Sequence, residues 1–427
     1  MMANPPDLHC DLMIIGSGMG GAAAAFFATT RGIDTLQVGM IGELNYASGL
    51  IDLLGVHPIR DAQEWEDPWA GIDNLVKDCP LHPYAKLNRE DIRTALSEFL
   101  SFLASGALPY AVLPQRNVSV ITPAGTLKKT YAVPETMKNG IRALEEKAPC
   151  LVFDFKGLKG FSSRQIVEAL RTKWQTLRAC RLTFPDAGGE LFSEQLARRL
   201  DRPETRMQLA TAVREQIRGE AFVGLPAVIG LYRSGEAFED LQRQIGLPIF
   251  EIPLLPPSVA GIRLRHLFEQ HLPVRGVRIF SQHRVFDAES LGNGAFRFQV
   301  GSETPQFSVQ AKKVILASGR FFGKGLFADR KGIRETIFGL PVYQPADRSG
   351  WHRKRLLDRN GHGINLAGLE TDELLRPLGI DGKPVFSALH VAGSILAHQD
   401  WVRQKCGSGL AIATAFAAVR AAAMDLA

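Results

Sequence analysis

Cysteine is scarce in this chain and dispersed along it. The five cysteines, Cys10, Cys79, Cys150, Cys180 and Cys406, stand far apart, so no CxxC pair and no iron–sulfur ligand spacing exists. An odd, scattered set implies reduced thiols rather than a disulfide framework. Long apolar runs are missing too: the longest, 410–418, falls short of the ~20 residues a membrane span needs, and Arg420 follows it. Residues 1–8 carry no Lys or Arg, and the first apolar run, 12–15, is too short for a signal-peptide core. No metal-ligand cluster, nucleic-acid motif, internal repeat or low-complexity tract stands out, which argues against nucleic-acid binding and repeat architectures.

What is present is a globular composition. The chain has 427 residues, 45% hydrophobic and 22% charged, with 41 Gly and 24 Pro. That length exceeds one ordinary core, so two or more domains are expected. The formal net charge is +6, with short basic clusters at 128–129, 198–199 and 353–355. A solvated surface is the ordinary fate of such groups. Attraction to phosphate, an acidic partner or an anionic membrane surface is the functional alternative.

Residues 9–38 read as strand, glycine turn, helix and strand, with the first strand at 11–15, the helix at 19–31 and the second strand at 34–38. Gly32 is placed to stop the helix. The turn is Gly16-Ser17-Gly18-Met19-Gly20-Gly21, a G-x-G-x-x-G motif in its required context. The first glycine permits the tight turn, the second lets backbone approach a phosphate, and the last lets helix pack on strand. The helix start then presents amide groups and a partial positive charge to that phosphate. The bland alternative is a plain glycine turn.

One feature of dinucleotide sites is missing. An acid normally ends the second strand and binds the adenosine ribose. Here the strand end reads Leu36-Gln37-Val38-Gly39-Met40, with Asp34 at the wrong end and Glu43 late. Either Glu43 reaches back, or there is no adenosine ribose to bind. The second reading fits FMN in place of FAD or NAD, so FMN is the expected cofactor and FAD the alternative.

Four further stretches suit a flavin site. Ser48 and Gly49 lie in a small-residue loop suited to a flat ring, with Asp52 to brace it, although a helix cap at Ser48 explains them equally well. Ser318 and Gly319 end a buried strand at 313–317. Gly393 and Ser394 follow a strand at 388–392. Gly407, Ser408, Gly409 and Leu410 open the terminal helix, whose amides are expected to face the flavin's pyrimidine edge. Close helix packing is the alternative for those glycines. Arg263, Arg320 and Arg334 are anion-binding candidates, though a salt bridge is the commoner fate of a lone arginine. His390 and His398 flank the Gly393 turn and read as structural. No catalytic residue is assigned.

Elsewhere, 90–103 reads as an amphipathic helix, 150–155 as a strand and 163–177 as a helix. Strands are expected at 221–230, 248–252, 276–280, 296–300 and 307–309, and 256–263 as a rigid turn entering a helix. The expected class is α/β: a Rossmann-like FAD/NAD(P)-binding flavoprotein fold with an inserted α/β unit. Its segments are 9–149 and 253–427 for the flavin domain and 150–252 for the insert.

The stretches Ala47-Ser-Gly-Leu-Ile-Asp-Leu-Leu54, Thr122-Pro-Ala-Gly-Thr-Leu127, Leu255-Pro-Pro-Ser-Val-Ala-Gly-Ile-Arg-Leu264 and Leu316-Ala-Ser-Gly-Arg-Phe-Phe322, with Gly332-Ile-Arg-Glu335 and Gly339-Leu340, occur in this order. Together they resemble the family of B-type, flavoprotein subunits of anaerobic glycerol-3-phosphate dehydrogenase. The resemblance runs from about residue 9 to the terminal helix, specific near 255–340 and loose over 150–252. It implies a flavoprotein subunit, usually described as carrying FMN, beside a catalytic FAD subunit and an iron–sulfur subunit that docks at the membrane. Such an assembly oxidises sn-glycerol 3-phosphate and passes electrons toward the quinone pool. The chain is then expected to be cytoplasmic and peripheral on the inner face of the cell membrane, held there through its partners. The competing readings are a non-catalytic assembly subunit with an empty Rossmann shell, and a stand-alone NAD(P)H-dependent flavin oxidoreductase.

Overall fold

The apolar writing of 11–15 and the glycine turn after it produce the expected opening in a computed structural model, which describes residues 6–40, 44–113, 115–185, 189–292 and 294–426. Strand β1 (Asp7–Ile15), helix α1 (Met19–Thr29) and strand β2 (Thr35–Gly39) follow in order. β1 begins earlier than its apolar run because Asp7 to Cys10 pair with Ser308 to Ala311 on the neighbouring strand. α1 closes at Thr29, where the Thr29 and Thr30 hydroxyls bond back to the carbonyls of Phe26 and Phe27. Ala22 to Ala28 are all buried, as a helix apolar on every face requires.

The chain divides into two compact units. The first takes residues to 43, 52–99 and from 268 onward. Its sheet runs Arg278–Ser281, β2, β1 and Phe307–Leu316 in parallel, then Phe296–Gly301 and Arg284–Ser290 antiparallel. The short strand Leu389–Val391 pairs in parallel with the C-terminal half of Phe307–Leu316. The 307–316 strand was expected as two pieces. It is continuous because the lysines that look like a break are paired: Lys312 with Asp11 at 2.8 Å and Lys313 with Asp425 at 2.6 Å. The strand Arg284–Ser290 was not foreseen, since its half-exposed, polar face lacks an apolar alternation.

The terminal helix, Gly407–Met424, is long and apolar enough by length and composition to cross a membrane. Its side chains serve the core of the first unit instead: Leu410, Ile412, Phe416 and Val419 are buried, and the Phe416 ring meets Phe27 of α1 edge-on at 5.1 Å.

The second unit takes 44–51 and 100–267. Its sheet is parallel, in the order Ile249–Ile252, Phe222–Pro226, Cys150–Phe155 and Leu177–Leu182. The helix expected over 163–177 ends at Leu170, and Leu177–Leu182 is an edge strand. Trp174 forces the break: it is buried, and its indole N–H donates to the Ala148 carbonyl at 2.8 Å. The unit is larger than the expected insert of 150–252. Leu50, Val118, Val133, Ile141 and Ile262 share one apolar core with Phe153 and Phe250 of the sheet, so the flanking segments fold with it.

Candidate functional site

Three parallel strands of the first unit end side by side above the start of α1. β1 hands over to Gly16, Phe307–Leu316 to Ala317, and Leu389–Val391 to Ala392. Main-chain bonds lock these ends together, from Ala317 N–H to Ile15 at 2.8 Å and from Ala392 N–H to Leu316 at 3.0 Å. Gly16 takes φ +127°, and a Cβ there would lie 2.1 Å from the Ala317 carbonyl oxygen. A Cβ on Gly21 would lie 2.0 Å from the Gly16 oxygen, so no side chain fits where the helix crosses the turn. Gly20 faces Gly393 across 3.5 Å, measured from a Cβ built on Gly20 to the Gly393 Cα.

The structure thus brings together Gly16, Ser17, Gly18, Gly20, Gly21, Ser318, Gly319, Gly393 and Ser394. Gly18, the residue before α1, offers no capping side chain, which leaves the first amides of the helix to a ligand. Two buried polar atoms, Ser318 Oγ beyond the 307–316 strand and Oε1 of Gln399, whose amide nitrogen bonds the Gly393 carbonyl, have no partner among the described residues. Buried polar groups are ordinarily bonded, so these suit a polar ligand. The glycine cradle, the open helix start and the two orphaned atoms fit a phosphate-bearing cofactor.

Three supporting residues were missed at the sequence level. Gln37 is buried on β2, and its side-chain amide donates to the Gly16 carbonyl at 2.9 Å. Its signal was a polar residue inside a buried strand. Thr414 accepts the Gly393 amide at 3.0 Å, and Gln399 donates to the Gly393 carbonyl at 3.1 Å. Both face Gly393 through folding rather than through any local pattern.

Other expected residues have partners within the protein. The Ser408 hydroxyl accepts the Asp52 amide at 2.7 Å, and the Gly409 amide donates to the Asp52 carbonyl at 2.8 Å. These two groups anchor the terminal helix on the main chain at 52. Gly407 packs on Trp401, and Leu410 is buried. Ser48 and Gly49 belong to the second unit. There the Tyr110 hydroxyl donates to the Gly49 carbonyl at 2.7 Å, and a Cβ on Gly49 would lie 2.6 Å from that of Ala260. Close packing on the helix Val259–His271 accounts for that glycine.

The arginine candidates divide in the same way. Arg263 is buried and forms a two-pronged pair with Glu251 at 2.7 and 2.9 Å. Arg334 pairs with Asp329 at 2.6 Å and lies over the Phe327 ring. Neither is left for an anion. Arg320 instead bonds only main-chain carbonyls, those of Ser394, Asn365, Leu396 and Gln399. Desolvation lowers its pKa to about 10, with Asp400 acting in the opposite direction. His390 bonds the Leu374 carbonyl through Nδ1 at 2.8 Å, and burial lowers its pKa. His398 pairs with Glu370 at 2.7 Å. Both histidines have structural partners, as expected.

The ribose question has a local answer. β2 ends at Gly39, where a Cβ would fall 2.7 Å from the Ser17 amide nitrogen, and the Ser17 hydroxyl donates to the Met40 carbonyl at 2.6 Å. The strand end lies against the phosphate turn, with no room for an acidic side chain. Glu43, the residue expected to reach back, lies outside the described residues.

A family profile described as the FAD binding domain matches residues 11–410. The chain belongs to the FAD-binding-domain family. It is a flavin-dependent oxidoreductase by that membership, and the expected flavoprotein fold holds. The chain is 29% identical over 97% of its length to the probable B-type subunit of anaerobic glycerol-3-phosphate dehydrogenase from Halobacterium salinarum, covering 98% of that protein. It is 28% identical to the corresponding B-type subunit of anaerobic glycerol-3-phosphate dehydrogenase from Vibrio vulnificus, over 97% of this chain and 96% of that one. Among solved structures, FrdA of E. coli quinol fumarate reductase aligns at 10% identity and a TM-score of 0.42, over 98% of this chain and 71% of that one. The resemblance read from the sequence therefore stands. The preference for FMN does not gain support, because the family is described by FAD.

Proposed function

We propose that this chain is the flavin-containing electron-transfer subunit of a membrane-associated anaerobic glycerol-3-phosphate dehydrogenase, and that its flavin is FAD. The observation that carries the reading is the meeting of the Gly16–Gly21 turn, Ser318 and Gly393 over an uncapped helix start, in a chain whose relatives bear that enzyme's name. A flavin bound there supplies exchange between a two-electron donor and one-electron acceptors. The chain's own part is to hold the phosphates on the amides of α1, to fix the turn through Gln37, and to fix Gly393 through Thr414 and Gln399. The ribose is then held without a carboxylate from the end of β2, which Gly39 closes.

In the assembled enzyme sn-glycerol 3-phosphate loses two electrons and two protons to become dihydroxyacetone phosphate. The electrons leave singly for an iron–sulfur partner and then the quinone pool. A catalytic FAD subunit and an iron–sulfur subunit are the partners, and the chain sits on the inner face of the cell membrane through them.

The test is to purify the chain, alone and with its partners, record the visible spectrum, and chromatograph the released chromophore. FAD supports the reading as stated. FMN retains the redox subunit and assigns the closed strand end to the lack of a second nucleotide. A colourless protein that takes up neither flavin sinks the redox role and favours a non-catalytic assembly subunit.

A further inference from the structure

Arg320 is the guanidinium nearest in sequence to the strand end at Ser318-Gly319, and it is surrounded by oxygen atoms that carry no formal charge. Its Nε donates to the Ser394 carbonyl at 2.6 Å, its NH2 to the carbonyls of Leu396 and Gln399 at 3.1 and 3.0 Å, and its NH1 to that of Asn365. Among the described residues, no carboxylate stands within ion-pairing distance of it. Asp400 is the acid that acts on it electrostatically. That carboxylate already accepts from the Asn365 side-chain amide at 3.0 Å and lies 3.8 Å from Arg403. Of these three groups two are cations and one is an anion, and Asp52 is a further acid nearby, acting with Asp400 and Arg320 on the Cys406 thiol.

Three of the four carbonyls it gathers, those of Ser394, Leu396 and Gln399, belong to the turn that follows Gly393. Ser394 is the next residue after the glycine that faces Gly20, and Gln399 is the residue whose side chain bonds the Gly393 carbonyl. A planar guanidinium with a fixed fan of donors can hold several carbonyls at once, which a lysine ammonium cannot do in the same geometry. Arg320 is itself tethered to the cradle, two residues beyond Ser318. One side chain thus ties the end of the 307–316 strand to the turn after the 389–391 strand, at the point where the two close on the phosphate turn.

We infer that Arg320 is a positioning residue for the flavin site with a second, electrostatic effect: it clamps the 393–399 turn around Gly393 and places a half-buried positive charge beside it that favours the reduced, more negative flavin. The inference rests on the flavin reading given above. A half-buried charge is screened much less than an exposed one, so its sign is felt by a cofactor held at Gly393. Two variants separate the effects. Arg320→Lys keeps the charge and gives up most of the clamp, whereas Arg320→Gln gives up both.

The experiment uses the full chain, with its partners where they are needed for flavin retention. It reads two quantities besides turnover: the flavin dissociation constant, and the midpoint potential by spectroelectrochemical titration. Flavin binding is expected to weaken at least tenfold in both variants. The midpoint is expected to stay near that of the wild type in Arg320→Lys and to fall in Arg320→Gln by a tenfold change in the reduction equilibrium, about 30 mV for a two-electron couple. Unchanged affinity in Arg320→Lys overturns the clamp. A midpoint in Arg320→Gln equal to that of the wild type, or an equal fall in both variants, overturns the charge effect. Should Arg320→Gln fail to fold, Arg320→Lys decides: weakened binding at an unshifted midpoint upholds the inference, and a fall in its midpoint overturns it. A wild-type chain that binds no flavin defeats the functional reading itself, and is recognised before either variant is made.

Discussion

Gly39 ends β2 directly against Ser17: a Cβ at residue 39 would lie 2.7 Å from the amide nitrogen, the Cβ and the Oγ of Ser17. An acid at this strand end is the usual ribose ligand, so restoring one tests whether the site tolerates it. Gly39→Glu is expected to displace the phosphate turn, lower the flavin content per chain and destabilise the fold by about 1–3 kcal/mol, the usual cost of overpacking. Flavin absorbance per chain and a thermal melt measure both. A variant that binds flavin more tightly than the wild type would show that the strand end has room after all.

Gly21 meets the Gly16 carbonyl more closely still, 2.0 Å from the position of a Cβ. Backbone on both sides cannot yield as a flexible side chain can, and Gln37 pins the Gly16 oxygen from beyond. Gly21→Ala is expected to abolish flavin retention and to lower the melting temperature by several degrees, about 4 °C or less per kcal/mol in a chain this large. An unchanged melt and full flavin content would contradict the crossing of α1 over the turn.

In the second unit Arg263 and Glu251 form a buried pair in which each remaining group is also bonded. Arg263 donates to the carbonyls of Gly230 and Ile229, and Glu251 accepts from Thr136 and the Ile229 amide. Removing one partner strands a buried charge. Arg263→Met is expected to cost about 3–5 kcal/mol, and the double change Arg263→Met with Glu251→Met much less. Urea unfolding of the three proteins measures this, and equal losses in the single and double variants would argue against a coupled pair.

His82 is fully buried, and its Nδ1 accepts the Tyr84 amide at 3.2 Å. Burial holds its pKa down at about 3. The unfolded chain binds a proton at His82 below about pH 6.5 while the folded chain does not, so the contribution is complete above that pH and is lost as pH falls toward 3. His82→Gln is expected to remove about 1.4 kcal/mol per pH unit from the slope of stability against pH in that window. Equilibrium unfolding at several pH values between 6.5 and 4 tests it, and identical slopes for variant and wild type would refute the assignment.

The readings that held depend on neighbours in sequence. The run Leu12 to Ile15, the glycines of the turn and the alanines of α1 specify strand, turn and helix within about twenty residues, because periodicity and backbone freedom act locally. The strand at Cys150–Phe155 was legible for the same reason. The helix over 163–177 was overextended because Trp174 breaks it through a bond to Ala148, a residue in another segment. The 307–316 strand read as broken because the acids that accommodate Lys312 and Lys313 lie at Asp11 and Asp425.

The candidate site shows the same division. By itself the sequence determined that a G-x-G-x-x-G turn joins the first strand to the first helix, that no acid ends the second strand, and that small residues stand at 318–319 and 393–394. Only the tertiary structure decided that these meet, that Gly39 closes on Ser17, that Ser48 and Gly49 pack within the second unit, and that Arg320 reaches carbonyls 45 to 79 residues away. A glycine's permissiveness and a strand's alternation are written in the residues themselves. A hydrogen-bond partner is chosen when distant strands close into one sheet, and no local pattern carries that choice.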